Sequence, residues 1–184
     1  MVQKKKKVRK GRGFIDQLSD EDAKNVLKIL AKEDKKIAEK IKDIAQMFLA
    51  NVDTKEVSEE VFQTLDELDV EDVYYSSGNK KGGYICPNER AWEMIAEALE
   101  PYREEITKYQ KISMEEESAN YCMGVLKGIY QFKEESNSEI KNWAEDCPSE
   151  LFNEILDEWQ KLNNDDSLEE EMQKFIHVYC RKWS

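Results

Sequence analysis

Apolar residues recur every three or four positions along most of the chain, and this periodicity constrains the fold more than any other feature. The longest run has spacings of 3, 4, 3, 4 and 3 and consists of Trp92, Ile95, Leu99, Tyr102, Ile106 and Tyr109. Such spacing places apolar side chains on one face of an α-helix. The 184 residues include only 7 Gly and 3 Pro, whereas sheets need many turn residues. We therefore predict an all-α protein of seven or eight antiparallel helices, arranged as a helical-repeat-like array or an irregular bundle.

One segment interrupts the helical periodicity. Residues 73–75 favour extended backbone, and turn-forming residues follow at 77–79 and 82–83. Residues 84–86 are largely apolar again. This pattern predicts a loop, with at most one short hairpin within residues 73–86.

Two glycines lie one helical turn apart in the helix predicted to begin near Ser113. Gly124 and Gly128 each lower helix propensity by about 1 kcal/mol relative to alanine. Their position on one face predicts that a neighbouring helix approaches closely there.

Charge is distributed very unevenly along the chain. Residues 1–12 contain seven basic residues and no acidic one, namely Lys4, Lys5, Lys6, Lys7, Arg9, Lys10 and Arg12. The remainder carries 21 basic and 40 acidic residues. We predict that residues 1–13 form a disordered basic tail and that residues 14–184 form a single helical domain. The tail has three possible roles: contact with nucleic acid through phosphates, docking on the acidic body, or a solvated arm.

The sequence lacks the apolar segments that membranes and secretion require. No run reaches about 18 apolar residues, and the basic start has no apolar stretch behind it. We therefore predict a cytoplasmic protein without membrane contact. The four cysteines, Cys86, Cys122, Cys147 and Cys180, are widely spaced, which favours buried free thiols over disulfides.

No set of residues in the sequence assembles a recognisable catalytic or metal site. His177 is the only histidine, and it has Cys180 one helical turn away, whereas zinc needs three or four ligands. The glycine-rich segment 78–83 lacks the Gly-Lys-Ser/Thr ending of a phosphate-binding loop. We predict no catalytic residue, no metal and no cofactor. An enzyme with an unidentified carboxylate site remains an alternative.

If the protein has a partner, we expect it to bind at the interrupting loop and the start of the following helix. Aromatic residues of the kind that dominate binding hot spots cluster there, and both signs of charge lie beside them. The predicted contact residues are Tyr74, Tyr75, Lys80, Lys81, Tyr84, Glu89, Trp92, Glu93 and Glu97. The alternative is that these aromatic residues belong to the core and the loop only turns the chain.

Two stretches carry a resemblance to a known family. The sequences AWEMIAEALEPY at 91–102 and YCMGVLKGIY at 121–130 resemble a poorly characterised helical region of archaeal and bacterial proteins, some of which also carry a SWIM-type zinc finger. The resemblance covers roughly residues 54–162 and implies a helical-repeat array that acts as an interaction scaffold. The paired cysteines and Cys-x-His motif of that finger are absent here. A metal or nucleic-acid role that depends on the finger therefore does not carry over.

These observations favour a non-enzymatic helical scaffold or adaptor that binds another macromolecule, with a protein as the expected partner. The alternative in another class is a nucleic-acid-associated accessory protein that works through residues 1–12. The oligomeric state is not readable from the sequence.

Overall fold

The computed structural model describes residues 12–80 and 83–183, in which the chain is almost entirely helical. The helices are α1 (Arg12–Ile15), α2 (Asp20–Glu33), α3 (Lys35–Leu49), α4 (Thr54–Asp66), α5 (Val70–Ser76), α6 (Pro87–Lys111), α7 (Glu115–Glu135), α8 (Ile140–Trp143), α9 (Cys147–Leu162) and α10 (Asp166–Tyr179). Strands β1 (Gly78–Lys80) and β2 (Gly83–Ile85) complete the described part. The all-α prediction is confirmed.

The described residues form ten helices, whereas seven or eight are predicted, because the apolar periodicity does not reveal two short helices. Helix α1 begins at Arg12, so the last two residues of the predicted disordered tail are helical. The rest of that prediction lies outside the described residues. Helix α5 forms where residues 73–75 favour extended backbone, because the Asp69 side chain accepts a hydrogen bond from the Glu71 N–H at 2.8 Å and caps it.

The predicted hairpin forms, but it is confined to residues 78–85. Strands β1 and β2 are antiparallel, with Gly78 opposite Ile85 and Lys80 opposite Gly83. Gly78 has φ of 86° and Gly83 has φ of 129°, conformations that side chains rarely tolerate. Glycine is therefore the residue that both positions accommodate without strain.

The contacts within the chain divide it into two compact units, one up to Leu49 and one from Ala50 onward. The sequence alone predicts a single domain over residues 14–184. In the first unit, Ser19 caps α2 by accepting a hydrogen bond from the Asp22 N–H at 3.2 Å. Only Asp34 separates α2 from α3, and its backbone is extended.

Helix α7 lies at the centre of the second unit and contacts α4, α6, α9 and α10. Ten of its 21 residues are buried. A Cβ atom added to Gly124 would lie 2.6 Å from the Val57 Cβ, and one added to Gly128 would lie 2.6 Å from the Val61 Cβ. Helices α4 and α7 therefore approach as closely as the two glycines allow, which confirms the predicted close contact.

Within the described residues, no helix is both long and apolar enough to cross a lipid bilayer. The longest, α6, spans 25 residues and contains Pro101 in its interior. It continues as one helix through the proline, as the unbroken apolar spacing predicts.

The substitution Gly124→Ala tests the contact between α4 and α7. The new methyl group would press on Val57 and on the Thr54 carbonyl oxygen at 2.9 Å, which is backbone and cannot move aside cheaply. We expect a loss of about 2 to 3 kcal/mol in the free energy of unfolding, although alanine is the better helix former. Chemical denaturation measures this. The control is Gly13→Ala, where an added Cβ meets nothing within 4 Å. Unchanged stability of Gly124→Ala would contradict the close contact.

Candidate functional site

A cleft of about 730 Å³ lies between the first turns of α6, helix α8 and the first turn of α9. We call it the acidic cleft, because five carboxylates line it and none of its described lining residues is Lys, Arg or His. These carboxylates are Glu89, Glu93, Glu145, Asp146 and Glu150. Two tryptophans, Trp92 and Trp143, form its aromatic walls.

Buried residues beneath the acidic cleft hold its walls in place. Ile140 anchors α8 and is fully buried, and Cys147 at the start of α9 is 1% exposed. The Cys147 thiol lies 3.8 Å from the backbone carbonyl oxygen of Trp92 and so connects α9 to α6. On the outer side, the Lys133 ammonium donates a hydrogen bond to the Glu145 carbonyl oxygen at 2.7 Å. These contacts fix the chain, while the carboxylates of Glu145 and Asp146 remain exposed.

Helix geometry explains how five acids can lie together. Glu89 is in the first turn of α6, and Glu150 is in the first turn of α9. The unpaired N–H groups at a helix N-terminus favour negative charge nearby. Asp146 is the N-cap of α9, yet its side chain makes no capping hydrogen bond. The carboxylate therefore remains available on the cleft side.

Few of the carboxylates in the acidic cleft are paired with a cation. Glu93 pairs with Arg90, whose Nη1 lies 3.0 Å from the Glu93 Oε2. Across the part of the chain that the structure describes, Glu93 is the only one of the five carboxylates in an ion pair. The other four carboxylates have no ion-pair partner among the residues that the structure describes. They are consequently available to attract a cation from solution.

The tryptophans are held by their neighbours. Trp92 and Trp143 are both partly buried. The ring of Tyr74 meets that of Trp143 edge to face, with centroids 5.3 Å apart and an interplanar angle of 84°. Tyr74 thus supports a wall of the acidic cleft from outside, although half of its own surface remains exposed.

The predicted contact residues do not form one surface. Glu89, Trp92 and Glu93 line the acidic cleft, whereas Tyr75 and Glu97 line a second cleft of about 550 Å³ beside it. Arg90 also lines that second cleft, and its guanidinium binds Glu97 at 3.1 Å.

The remaining predicted contacts are on or near the hairpin. Tyr84 is exposed and lines neither cleft. Lys81 and the side chain of Lys80 lie outside the described residues. Three of the predicted contact residues thus lie on one wall of the acidic cleft, and their role in binding a partner stays a prediction.

Sequence reasoning missed the opposite wall, which consists of Trp143, Glu145, Asp146 and Glu150. A signal was present, because a tryptophan followed by acids recurs there as it does near Trp92. The contacts of α6 with α8 and α9 join segments about 50 residues apart, and periodicity carries no information about such pairings.

Three of the four cysteines are buried, and their chemistry is that of core residues. Burial, reinforced by nearby Glu150 and Glu154, raises the pKa of Cys147 to about 12, and burial also raises the pKa of Cys180 to about 12. These thiols are protonated at neutral pH and are poor nucleophiles. The expectation of burial is wrong for Cys86, which is exposed.

His177 and Cys180 do not share an environment, although one helical turn separates them. His177 is exposed on α10, whereas Cys180 is buried at its end. Over residues 12–80 and 83–183, no three His, Cys, Asp or Glu side chains are placed to hold a metal ion.

Comparison of the chain with protein-family models, with curated proteins and with solved structures finds no match. The resemblance to the helical region that accompanies SWIM-type zinc fingers therefore stays a prediction.

Thiol reactivity tests this description of the cysteines. We expect a thiol reagent at pH 8 to modify one cysteine per folded chain, Cys86, and all four after denaturation. Cys147 and Cys180 should stay unreactive, because their raised pKa values leave almost no thiolate at that pH. A colorimetric thiol assay measures the number of modified cysteines per chain. The variant Cys86→Ser should give none, and rapid modification of a second cysteine in that variant would show that the core opens.

Proposed function

We propose that this protein is a cytoplasmic, non-catalytic adaptor that binds a basic segment of another protein in the acidic cleft. The observation that carries this proposal is the juxtaposition of five carboxylates and two tryptophans, with no lysine or arginine among the lining residues that the structure describes. The charged head groups of Lys and Arg interact favourably with both carboxylates and tryptophan rings. Carboxylates accept their hydrogen bonds, and the face of an indole ring attracts a cation.

The spacing of the acids favours a segment with several positive charges over a single metal ion. In the described residues, no three acidic, cysteine or histidine side chains converge on one point as metal ligands must. The five carboxylates are instead spread over α6, the turn before α9 and α9 itself. Separate charges along an extended segment match that distribution.

The two components of the acidic cleft have different energetic roles. Exposed ion pairs are worth about 0 to 1 kcal/mol each, so the carboxylates chiefly steer a basic segment toward the cleft and set its orientation. Desolvated contact with an indole is worth more, because aromatic anchors dominate most interfaces. Binding should therefore weaken as salt is raised and should depend strongly on the tryptophans.

A nucleic-acid-associated role is the second candidate, and the composition of residues 1–12 favours it. Seven cations without an acid suit phosphate contacts that do not depend on sequence. The acidic cleft would repel phosphate, so this role would rest on the tail alone. An enzymatic role has less support, because the thiol that lines the acidic cleft, that of Cys147, is buried and burial raises its pKa to about 12.

Binding of a basic peptide tests the proposal. The probe is a fluorescently labelled peptide of about twelve residues in which Lys and Arg alternate with Gly and Ser, measured by anisotropy. We expect the double variant Glu145→Gln/Glu150→Gln to bind at least about tenfold more weakly, because both residues line the cleft and neither pairs with a cation in the described part of the chain. Raising salt from about 50 to 300 mM should reduce the difference.

The matched control is Glu104→Gln/Glu171→Gln, which makes the same change in net charge at exposed positions outside the cleft. It should change affinity by less than about twofold. Equal losses in both double variants would mean that only overall charge attracts the peptide. If the protein binds a labelled DNA duplex but not the peptide, and if deletion of residues 1–12 abolishes DNA binding, the second candidate is favoured.

A further inference from the structure

Helices α2 and α3 leave an apolar face exposed to solvent. Within residues 20–49, all of which the structure describes, no side chain is buried. Phe48 is 86% exposed and Met47 is 76% exposed. Leu27, Ile29 and Ile44 are each about half exposed. An apolar patch of this kind on a folded unit usually marks an interaction surface.

The two helices need that surface to be covered. They have 14 and 15 residues, and isolated helices of such length are marginal in water. Most helical stability in proteins comes from packing an amphipathic face. Helices α2 and α3 contact each other, yet this contact buries none of their residues. A further apolar surface must therefore complete the packing.

The spacing of the apolar residues indicates that the missing surface is helical. In α3 the stripe Ile37, Ile41, Ile44 and Phe48 has spacings of 4, 3 and 4. In α2, Ala23, Leu27 and Leu30 continue the pattern with spacings of 4 and 3. Alternating steps of three and four form the seam of packed helix bundles, where side chains of one helix fit between those of the next.

Charge along the segment that holds α2 and α3 allows a second copy of the same chain as the partner. Residues 13–49 carry eight acidic and seven basic residues, so this segment is close to neutral and two copies of it repel each other little. Residues 50–184 carry 32 acidic and 14 basic residues, so contact between two copies through that part would be repulsive.

The order of charges along α2 also fits an antiparallel pairing of copies. Its first turn is acidic, with Asp20, Glu21 and Asp22, and its remaining turns are mainly basic, with Lys24, Lys28 and Lys32 against a single acid, Glu33. Two antiparallel copies of α2 place each acidic turn beside the basic turns of the other. In a two-fold symmetric interface this favourable contact occurs twice.

We infer that two copies of the chain associate through the apolar faces of α2 and α3, with the two copies of α2 antiparallel to each other. This self-association is independent of the acidic cleft, which lies wholly in the second unit. A dimer would carry two acidic clefts.

The test is the mass of the full chain in solution, measured by sedimentation between about 1 and 100 µM. We expect a mass of twice 21.6 kDa, that of a dimer, for the wild type and the monomer mass for Ile44→Asp/Phe48→Asp. The control is Leu162→Asp/Val178→Asp, which places the same charges at exposed apolar positions of the second unit and should remain dimeric. A monomeric wild type, or a dimeric Ile44→Asp/Phe48→Asp variant, would overturn the inference. If the wild type is monomeric, another protein or another part of the same chain covers the apolar face of α2 and α3.

A second experiment does not depend on whether the aspartate variants keep α3 folded. One chain carries Asp20→Lys/Glu21→Lys/Asp22→Lys, and the other carries Lys24→Glu/Lys28→Glu/Lys32→Glu. Each chain should be at least about tenfold weaker as a homodimer, because its α2 now has one sign of charge almost throughout. An equimolar mixture should form heterodimers. If both chains dimerise alone as tightly as the wild type, the antiparallel arrangement is wrong.

Discussion

The contact between α4 and α7 is the constraint on which the second unit depends. Val57 and Val61 lie directly over Gly124 and Gly128, so the two helices approach closer than any other residue would permit. This leaves the other faces of α7 free to contact α6, α9 and α10, and ten of its residues are buried as a result. Of the helices that form the acidic cleft, α6 and α9 pack against α7, and α8 packs against α6.

Electrostatics explain why negative charge collects where it does. Glu150, Glu154 and Glu158 repeat every four residues along α9, while α6 carries its own series of acids. Arg103 on α6 binds both Glu158 and, at 3.8 Å, Glu154, and these contacts raise the pKa of its guanidinium. Arg90 in turn takes up Glu97 and Glu93. The two arginines thus pair with acids in the middle of α6 and α9, whereas in the described residues no cation pairs with Glu89 or Glu150 at the helix beginnings that form the cleft.

The sequence predicts the helices of this protein better than the site between them. The Trp92–Tyr109 periodicity predicts α6 because repeated spacing is a local property, and Gly124 with Gly128 predicts a close contact because glycine has few other uses in a helix. Helix α5 is missed because the cap supplied by Asp69 outweighs the β-propensity of the residues that follow. Trp143 is missed as a site residue because only the packing of α8 against α6 brings it opposite Trp92.

The central claim is that a basic segment occupies the acidic cleft, and the four tryptophans of the chain make a direct measurement possible. Each indole N–H gives a separate signal in a ¹H–¹⁵N correlation spectrum, which can be followed while a Lys- and Arg-containing peptide is added. We expect the signals of Trp92 and Trp143 to shift together and to saturate. Those of buried Trp159 and of Trp183, which packs against Tyr130 and Phe152, should stay in place. Saturating shifts confined to Trp183, or no shift at Trp92 and Trp143, would contradict binding of a basic segment in the acidic cleft.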